Sequence, residues 1–466
     1  MASLFGRLPQ EIRLLDAGAG VGSLTAAFVD EVVERDPRPR RIVAVAYEKD
    51  TSLLSYLDLT LGACAAKCEQ AGVDFSYTIQ NQDFIEHAAD MLEGGLFSTE
   101  PLSFNFAILN PPYKKINSNS LHRHVLSRIG IETSNLYTSF LALVVGLLEP
   151  DGELVAITPR SFCNGPYFRH FRTHFLSSMS LQRIHVYESR ETAFAEEDVL
   201  QENIIFCAAK TKQHENVVIS KSIGPEDIIA RKYEVDYHDV VRPDDPEHFI
   251  RIAGSNEDRL VDERMSALPC TLADLGIQVS TGRVVEFRST AFLRSASEKS
   301  TAPLIYPTHM DSGFVRWPKL EGRKPNAIVK SQQTESLLLP LGHYVVVRRF
   351  SAKEERRRVV AAIFDPDRLP EVITCVGFEN HLNVYHSDST GLPPELAKGL
   401  ASYLNSTLVD TYFRLFNGHT QVNANDLRVL RYPSLDKLTL LGTLVGDLFP
   451  KETEIDNWLE RELHYV

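Results

Sequence analysis

Asn110-Pro111-Pro112-Tyr113 brings together a side-chain amide, two rigid proline rings and an aromatic face in four consecutive positions. Proline fixes φ and stiffens the loop, so acceptors within it keep their directions. The Asn110 side-chain oxygen and the Pro111 carbonyl suit the two hydrogens of a planar amine, and Tyr113 offers a surface for a planar ring to stack on. An amine conjugated to a ring is a poor nucleophile because its lone pair is delocalised. Drawing its hydrogens toward two acceptors favours the pyramidal form that can attack. A stiff Pro-Pro turn with a capping asparagine would use the same residues, and the tetrapeptide alone does not choose between the two.

A second group lies upstream. Asp16-Ala17-Gly18-Ala19-Gly20-Val21-Gly22 follows a short apolar segment and precedes a helical one, the position at which open α/β sheets bind ligands. Such glycine turns also serve dinucleotides. Asp16 shifts the choice, because a carboxylate neutralises the ammonium group of a sulfonium amino acid and repels a pyrophosphate. S-adenosylmethionine is therefore the expected cofactor. Glu48 is placed to accept from both ribose hydroxyls and Asp83 from an adenine amino group, with Phe84 covering the ring. The plain alternatives are a solvent-facing strand end for Glu48 and a helix or turn cap for Asp83.

These residues need elements to hold them. Apolar segments at Arg13–Asp16, Ile42–Tyr47, Phe75–Ile79, Phe104–Leu109 and Glu153–Thr158 alternate with helical spacing over Ser23–Glu34, Ser52–Ala71 and Leu136–Leu148. Alternation of this kind predicts an α/β, Rossmann-like domain with a mostly parallel sheet and helices on both faces. Asp16, Glu48, Asp83 and Asn110 then all fall at strand ends. After about Lys212 short strands and turns replace the pattern, and Pro243-Asp244-Asp245-Pro246 reads as a linker. The expected domains are 1–245 for catalysis, a mixed α+β target-recognition domain over 246–435, containing a helix at Pro394–Tyr412, and a helical tail over 436–466.

Composition narrows the class. The net charge of −13 argues against a protein that coats nucleic acid indiscriminately. Residues 260–433 nevertheless carry 21 Lys and Arg against 18 Asp and Glu, net +3, which leaves the remainder at −16. Arg348-Arg349 and Arg356-Arg357-Arg358 lie in that half, where they could meet phosphates. A solvated charged face interleaved with Glu354 and Glu355 is at least as good a reading for either cluster. The apolar run Phe140–Leu148 has nine residues, far fewer than the ~20 of a membrane span. The first residues lack the pattern of a signal peptide, so a cytoplasmic location is expected. Six scattered cysteines fit reduced thiols, Cys64 and Cys68 read as helix packing, and no metal is expected.

With these motifs in order on successive strands, the sequence resembles the gamma-class N6-adenine DNA methyltransferases of bacterial restriction-modification systems. Asp16–Gly22 and Asn110–Tyr113 carry the resemblance, joined by Lys114-Lys115-Ile116 and by Thr158-Pro-Arg-Ser-Phe-Cys-Asn-Gly-Pro-Tyr-Phe-Arg. It implies that Asp16, Gly18 and Gly20 hold the methionine end of S-adenosylmethionine, Glu48 its ribose and Asp83 its adenine. It also implies that Asn110–Tyr113 grip an adenine flipped out of double-stranded DNA, and that a separate cognate restriction endonuclease can accompany the enzyme. Phe162 is the candidate for a second aromatic wall of the target-base pocket, with a core role as its rival. The family also carries a cofactor motif in a helix before the glycine turn. Only fifteen residues precede Asp16, MASLFGRL looks like the tail of that helix, and weak cofactor binding is the expectation.

DNA contacts are expected from the polar stretch after the tetrapeptide, with Lys114, Lys115, Arg123 and Arg128. Further contacts are expected from Arg348, Arg349, His419, Gln421 and Asn423, whose side chains suit phosphates and base edges. N4-cytosine methylation is a rival within the same chemistry, disfavoured because that class more often has serine at the position of Asn110, and two other functions use overlapping features. Protein glutamine N5-methyltransferases present an amide to the same tetrapeptide but are shorter and carry a helical domain ahead of the glycine turn. A catalytically silent DNA-binding or nuclease subunit is the other. Pro366-Asp367 and Glu371 suggest a nuclease motif, but Ile373 stands where that motif needs lysine.

Overall fold

The computed structural model describes all residues except 95–101, 118, 188–202, 223–230, 253–255, 352–354, 370–372, 417–420 and 464–466. The chain divides into two compact units, Met1–Gly254 and Ser255–Val466.

The first unit is built on nine strands: β1 (Glu11–Ala17), β2 (Arg41–Tyr47), β3 (Asp74–Gln80), β4 (Phe104–Leu109), β5 (Leu148–Pro159), β6 (Ser180–Tyr187), β7 (Asn203–Ala209), β8 (Val217–Ser222) and β9 (Arg231–Val235). Their order across the sheet is β3-β2-β1-β4-β5-β7-β6-β8-β9. From β3 to β5 every pairing is parallel. β7 then inserts antiparallel between β5 and β6. The helices are α1 (Ser23–Glu34), α2 (Leu54–Gln70), α3 (Phe84–Glu93), α4 (Leu121–Arg128), α5 (Leu136–Leu147) and α6 (Arg169–Leu176). Alternate residues of the strands serve different clusters, as the period of two requires. Leu15, Ala107, Leu154 and Phe206 pack in one cluster with α3, α5 and α6. Leu14, Phe106, Val155 and Cys207 pack in the other with α1. α5 buries ten of its twelve residues, which explains its nearly continuous apolar sequence.

Residues 236–252 stay with this unit. Arg169 Nε donates to Pro246 O at 3.1 Å, Arg172 Nε to Glu247 O at 2.9 Å, and Ile250 N to Cys163 O at 2.9 Å. The segment read as a linker at Pro243–Pro246 is thus strapped down, and the division falls at Gly254. Near the N-terminus, Ala2–Leu4 form a 3-10 turn and Phe5 packs against Phe28 and Phe106.

The second unit holds two mixed sheets. One runs Gln278–Thr281, Leu382–His386, Tyr344–Arg348, Ala361–Phe364, Phe314–Val315, Met310–Asp311, and the other Leu293–Arg294, Ala327–Val329, Thr301–Ile305, Cys375–Phe378, Leu338–Pro340. The helix expected over Pro394–Tyr412 is two helices, Pro394–Leu404 and Thr407–Phe416. Asn405 breaks it by pairing its amide with Ala361, accepting from the backbone N at 3.1 Å and donating to the carbonyl at 2.9 Å. The tail forms helices Leu435–Thr443 and Glu452–Leu463, whose Leu438, Trp458 and Leu459 share one core with Val345 and Leu400. Among the described residues no helix is long and apolar enough to cross a membrane.

Candidate active site

Register brings the two sequence motifs side by side. β1 and β4 are adjacent and parallel with Asp16 opposite Ile108, so Gly18 and Asn110 each lie two residues beyond that pair, at the carboxyl edge of the sheet. Gly18, Gly20 and Gly22 all have positive φ, at 79°, 59° and 86°, the left-handed region that glycine enters without steric cost. Gly18 N and Ala19 N donate to Tyr47 O at 3.0 and 2.8 Å, which folds the turn back over the end of β2.

Asp16 is 1% exposed. Its Oδ2 accepts from the Thr25 hydroxyl at 2.7 Å, whereas Oδ1 is buried with no hydrogen-bond partner among the described residues. Burial pushes this carboxyl up to about 6, against the opposing Thr25 hydroxyl and backbone N–H and with the Glu48 carboxylate adding to the rise. A buried acceptor left open in this way is costly without a cationic or donor partner. Glu48 is fixed by the backbone, Oε2 accepting from Gly20 N at 2.8 Å and Oε1 from Asp50 N at 2.7 Å. Each of its oxygens retains a further lone pair.

Asp83 is the N-cap of α3, its Oδ1 accepting from Ile85 N at 3.0 Å and Glu86 N at 3.3 Å. Oδ2 meets Lys49 Nζ at 2.8 Å and His122 Nε2 at 3.0 Å. Burial raises its pKa, but Lys49 and His122 outweigh that and hold the carboxyl below its usual range. The capping alternative therefore describes Asp83 in this structure. Phe84 is corrected more firmly: at 3% exposure it packs between Tyr47 and Phe140, with ring centroids 5.1 and 5.0 Å away, as a core side chain. The aromatic edge nearest the glycine turn belongs to Phe140, 3.6 Å from where a Cβ on Gly18 would stand.

Asn110 is exposed at the end of β4, Pro111 is buried and Pro112 is exposed. Tyr113 Oη donates to Asn110 Oδ1 at 3.2 Å and lies 3.4 Å from the Ile157 carbonyl of β5. Edge-on to Tyr113, at 6.1 Å between centroids, stands Tyr137 of α5. Its buried hydroxyl lies 3.0 Å from Ser161 Oγ, and burial lifts its pKa well above the usual range. Tyr137 escaped the sequence reading because it looks like one more core aromatic at the start of an apolar helix. Phe162, expected at the target base, is 1% exposed and packs against Phe171 and Phe206. It is a core residue, and its rival reading holds.

The stretch after the tetrapeptide also differs from expectation. Ile116 N bonds Ser134 O and Leu136 N bonds Lys114 O, both at 2.8 Å, so the chain is zipped to the start of α5 with Lys114 and Lys115 exposed. Arg123 is spent internally on the Thr133 carbonyl. Arg128 pairs with Asp90 and Glu93 of α3 at 3.0 and 3.1 Å. Through these contacts and His122, α4 docks on α3.

In the second unit Arg348 pairs with Glu355, and Arg349 donates to Asn380 O at 3.3 Å. Arg358, which the sequence offered to phosphates, is 1% exposed and bonds the Ser351 hydroxyl at 3.1 Å. Phe350 and Gln421 form a β-bridge, so the two polar stretches singled out in this half meet. Asn423 caps the helix Ala424–Arg428. His419 and Glu371 lie outside the described residues.

Residues 42–194 match the family of Eco57I restriction-modification methylases. The type II methyltransferase M.BsuBI of Bacillus subtilis is 45% identical over 455 residues, covering 97% of this chain and 89% of that protein. M.PstI of Providencia stuartii, also a type II methyltransferase, is 43% identical over 467 residues, covering 100% and 91%. The chain belongs to this family of type II methyltransferases. It is a gamma-class, adenine-specific DNA methyltransferase of the restriction-modification type, as its motifs imply, and the protein-glutamine alternative is set aside. The fold agrees. The type IIL restriction-modification enzyme MmeI, solved in complex with DNA, is similar with a TM-score of 0.56 at 11% identity, over 98% of this chain and 70% of that one.

Proposed function

We propose that this methyltransferase takes S-adenosylmethionine at the edge formed by β1, β2 and β3 and uses Asn110–Tyr113 to hold the N6 amine of an extruded adenine. The observation that carries the reading is the pairing of two features on adjacent strands: the open, buried Oδ1 of Asp16 and the exposed amide of Asn110. Asp16 would hold the cofactor's ammonium, Gly18 and Gly20 its methionine backbone, and Glu48 its ribose hydroxyls. When bound, S-adenosylmethionine supplies an electrophilic methyl group. Phe140 offers the apolar edge beside the glycine turn. Asp83 reaches an adenine amino group only by sharing or releasing Lys49 or His122.

Asn110 Oδ1 and the Pro111 carbonyl accept the two N6 hydrogens, and the proton released on methylation leaves through one of these hydrogen bonds to solvent. Asn110 Oδ1 has a second lone pair for the amine beside the one that the Tyr113 hydroxyl occupies, and the Ile157 carbonyl stands 3.4 Å from that hydroxyl as well. Stacking of the base on Tyr113 offsets part of the extrusion cost, contributing ~1–3 kcal/mol. Lys114 and Lys115 are the exposed cations nearest this loop and suit DNA phosphates. A cognate endonuclease encoded separately, and a cytoplasmic setting, complete the proposal.

Transfer of labelled methyl from S-adenosylmethionine to duplex DNA tests it, with a protein mixture as the alternative acceptor. Label should enter DNA, and sequencing of modified bases should find N6-methyladenine at one short motif. Asn110→Ala should lower kcat by roughly 10²-fold or more, the scale of losing one positioned hydrogen-bonding group in a transition state. Undiminished transfer by that variant would remove the tetrapeptide from the chemistry.

A further inference from the structure

In the second unit the chain crosses from one sheet to the other between Phe378 and Leu382, and the turn there carries a histidine held by a buried carboxylate. Glu379 is 0% exposed. Its Oε2 accepts from His381 N at 2.9 Å and its Oε1 lies 2.5 Å from His381 Nδ1, so both oxygens serve one residue. The imidazole itself is about half exposed. Around it stand groups from two other segments. Arg349 N donates to His381 O at 2.9 Å, and the Phe350 ring lies 5.0 Å from the imidazole. Phe350 is 43% exposed. Val422 N bonds Arg349 O at 2.7 Å, and the buried Asn383 amide donates to Val422 O at 2.7 Å, fixing the segment that carries Gln421.

This arrangement is expensive for a turn. Burying a carboxylate is unfavourable unless it is fully bonded, and backbone donors alone would satisfy it without an imidazole. What the carboxylate adds is orientation. A histidine whose Nδ1 is held in this way presents Nε2 on the opposite edge of the ring. Among the described residues Nε2 of His381 has no hydrogen-bond partner.

We propose that His381, positioned by Glu379, contacts DNA through Nε2, with Phe350 and Arg349 on the same contact face. The inference rests on duplex DNA being the substrate, and it assigns a binding residue that none of the methyl-transfer motifs contains. Two parts of DNA offer a suitable partner, a base edge in a groove and a backbone phosphate, and they leave different signatures.

The test is equilibrium binding of the full-length protein to a duplex containing its methylation motif and to an unrelated duplex, over a range of salt. His381→Ala should weaken binding to the motif duplex roughly tenfold, the scale of one good contact; because it also leaves the buried Glu379 Oε1 without its partner it should melt lower, so binding is compared at a temperature at which both proteins are folded. His381→Gln should recover part of the loss. If the partner is a base edge, single-base changes at one position of the motif will stop mattering in the variant while the salt slope stays the same. If it is a phosphate, binding to both duplexes weakens alike. His381→Ala binding both duplexes within twofold of wild type overturns the proposal, whatever its stability. Methyl transfer by Asn110→Ala, measured alongside, should fail even at saturating DNA, which separates failure of the catalytic reading from failure of this contact.

Discussion

Asp16 concentrates the energetic conflict at the site. Its carboxyl is raised in the folded protein, so between about pH 4 and 6 the native state holds a proton that the unfolded chain has released. Stability therefore falls as pH rises through that window and the deficit persists at neutral pH. Bound ammonium reverses the sign by favouring the ionised form. Two outcomes follow at pH 7.5. Asp16→Asn should raise the melting temperature of the free protein, and it should weaken S-adenosylmethionine by roughly tenfold or more, since a charge-assisted hydrogen bond is lost. Calorimetric melting and titration of the same variant check both; a variant that melts lower and binds normally would mean that Asp16 is a structural residue. For the wild type, lowering the pH to 5.5 should weaken cofactor binding roughly fourfold, the fraction of a group near 6 that becomes protonated, and Asp16→Asn should lose that dependence.

At the scale of elements, what could be read in advance was what repeats locally. β1 to β5 and the helices α1, α2 and α5 follow from apolar periodicity, and the edges of α1 and β4 fall where the spacing puts them, whereas α3 and α4 were not read. The neighbourhood of Asp16, Glu48 and Asn110 follows from strand order in a parallel sheet. Contacts made at long range were hidden. Nothing in Asn203–Ala209 says that it slots antiparallel between β5 and β6. The break at Asn405 depends on Ala361, more than forty residues away. Phe84 and Phe162 sit beside motifs in sequence, but tertiary packing turns both inward. Glycine placement is another long-range signal. Helices Pro394–Leu404 and Leu435–Thr443 cross so closely that a Cβ on Gly399 would stand 1.7 Å from Leu438 O, and one on Gly442 1.8 Å from Glu395 O. Neither contact is with a flexible side chain, so the helices themselves must separate. Gly399→Ala should destabilise the second unit by about 3 kcal/mol or more, at the upper end of overpacking costs, as urea denaturation will report. Ala at Gly446, where nothing lies within 4 Å, is the matched control and should be close to neutral.

At the scale of the whole molecule, each unit carries hydrophobic cores of its own. The clusters around β1 to β9 contain only residues up to Ile252, and those of the second half begin at Met265, Val284 and Ile305. Charge is divided as well, with the acidic excess concentrated outside 260–433. Units with separate cores tend to unfold as separate cooperative blocks. A ligand that binds one block raises the stability of that block alone, by about 2.7 kcal/mol at a hundred times its Kd. Thermal unfolding of the intact chain should accordingly show two transitions, with S-adenosylmethionine moving the one that reports on the first unit. Gly399→Ala should lower the other transition and leave the ligand-induced shift intact, whereas Asp16→Asn, binding roughly tenfold more weakly, should cut that shift to about half or less. A single transition, moved equally by the ligand and by Gly399→Ala, would mean that the two units fold as one and that the first could not be treated as energetically independent of the second.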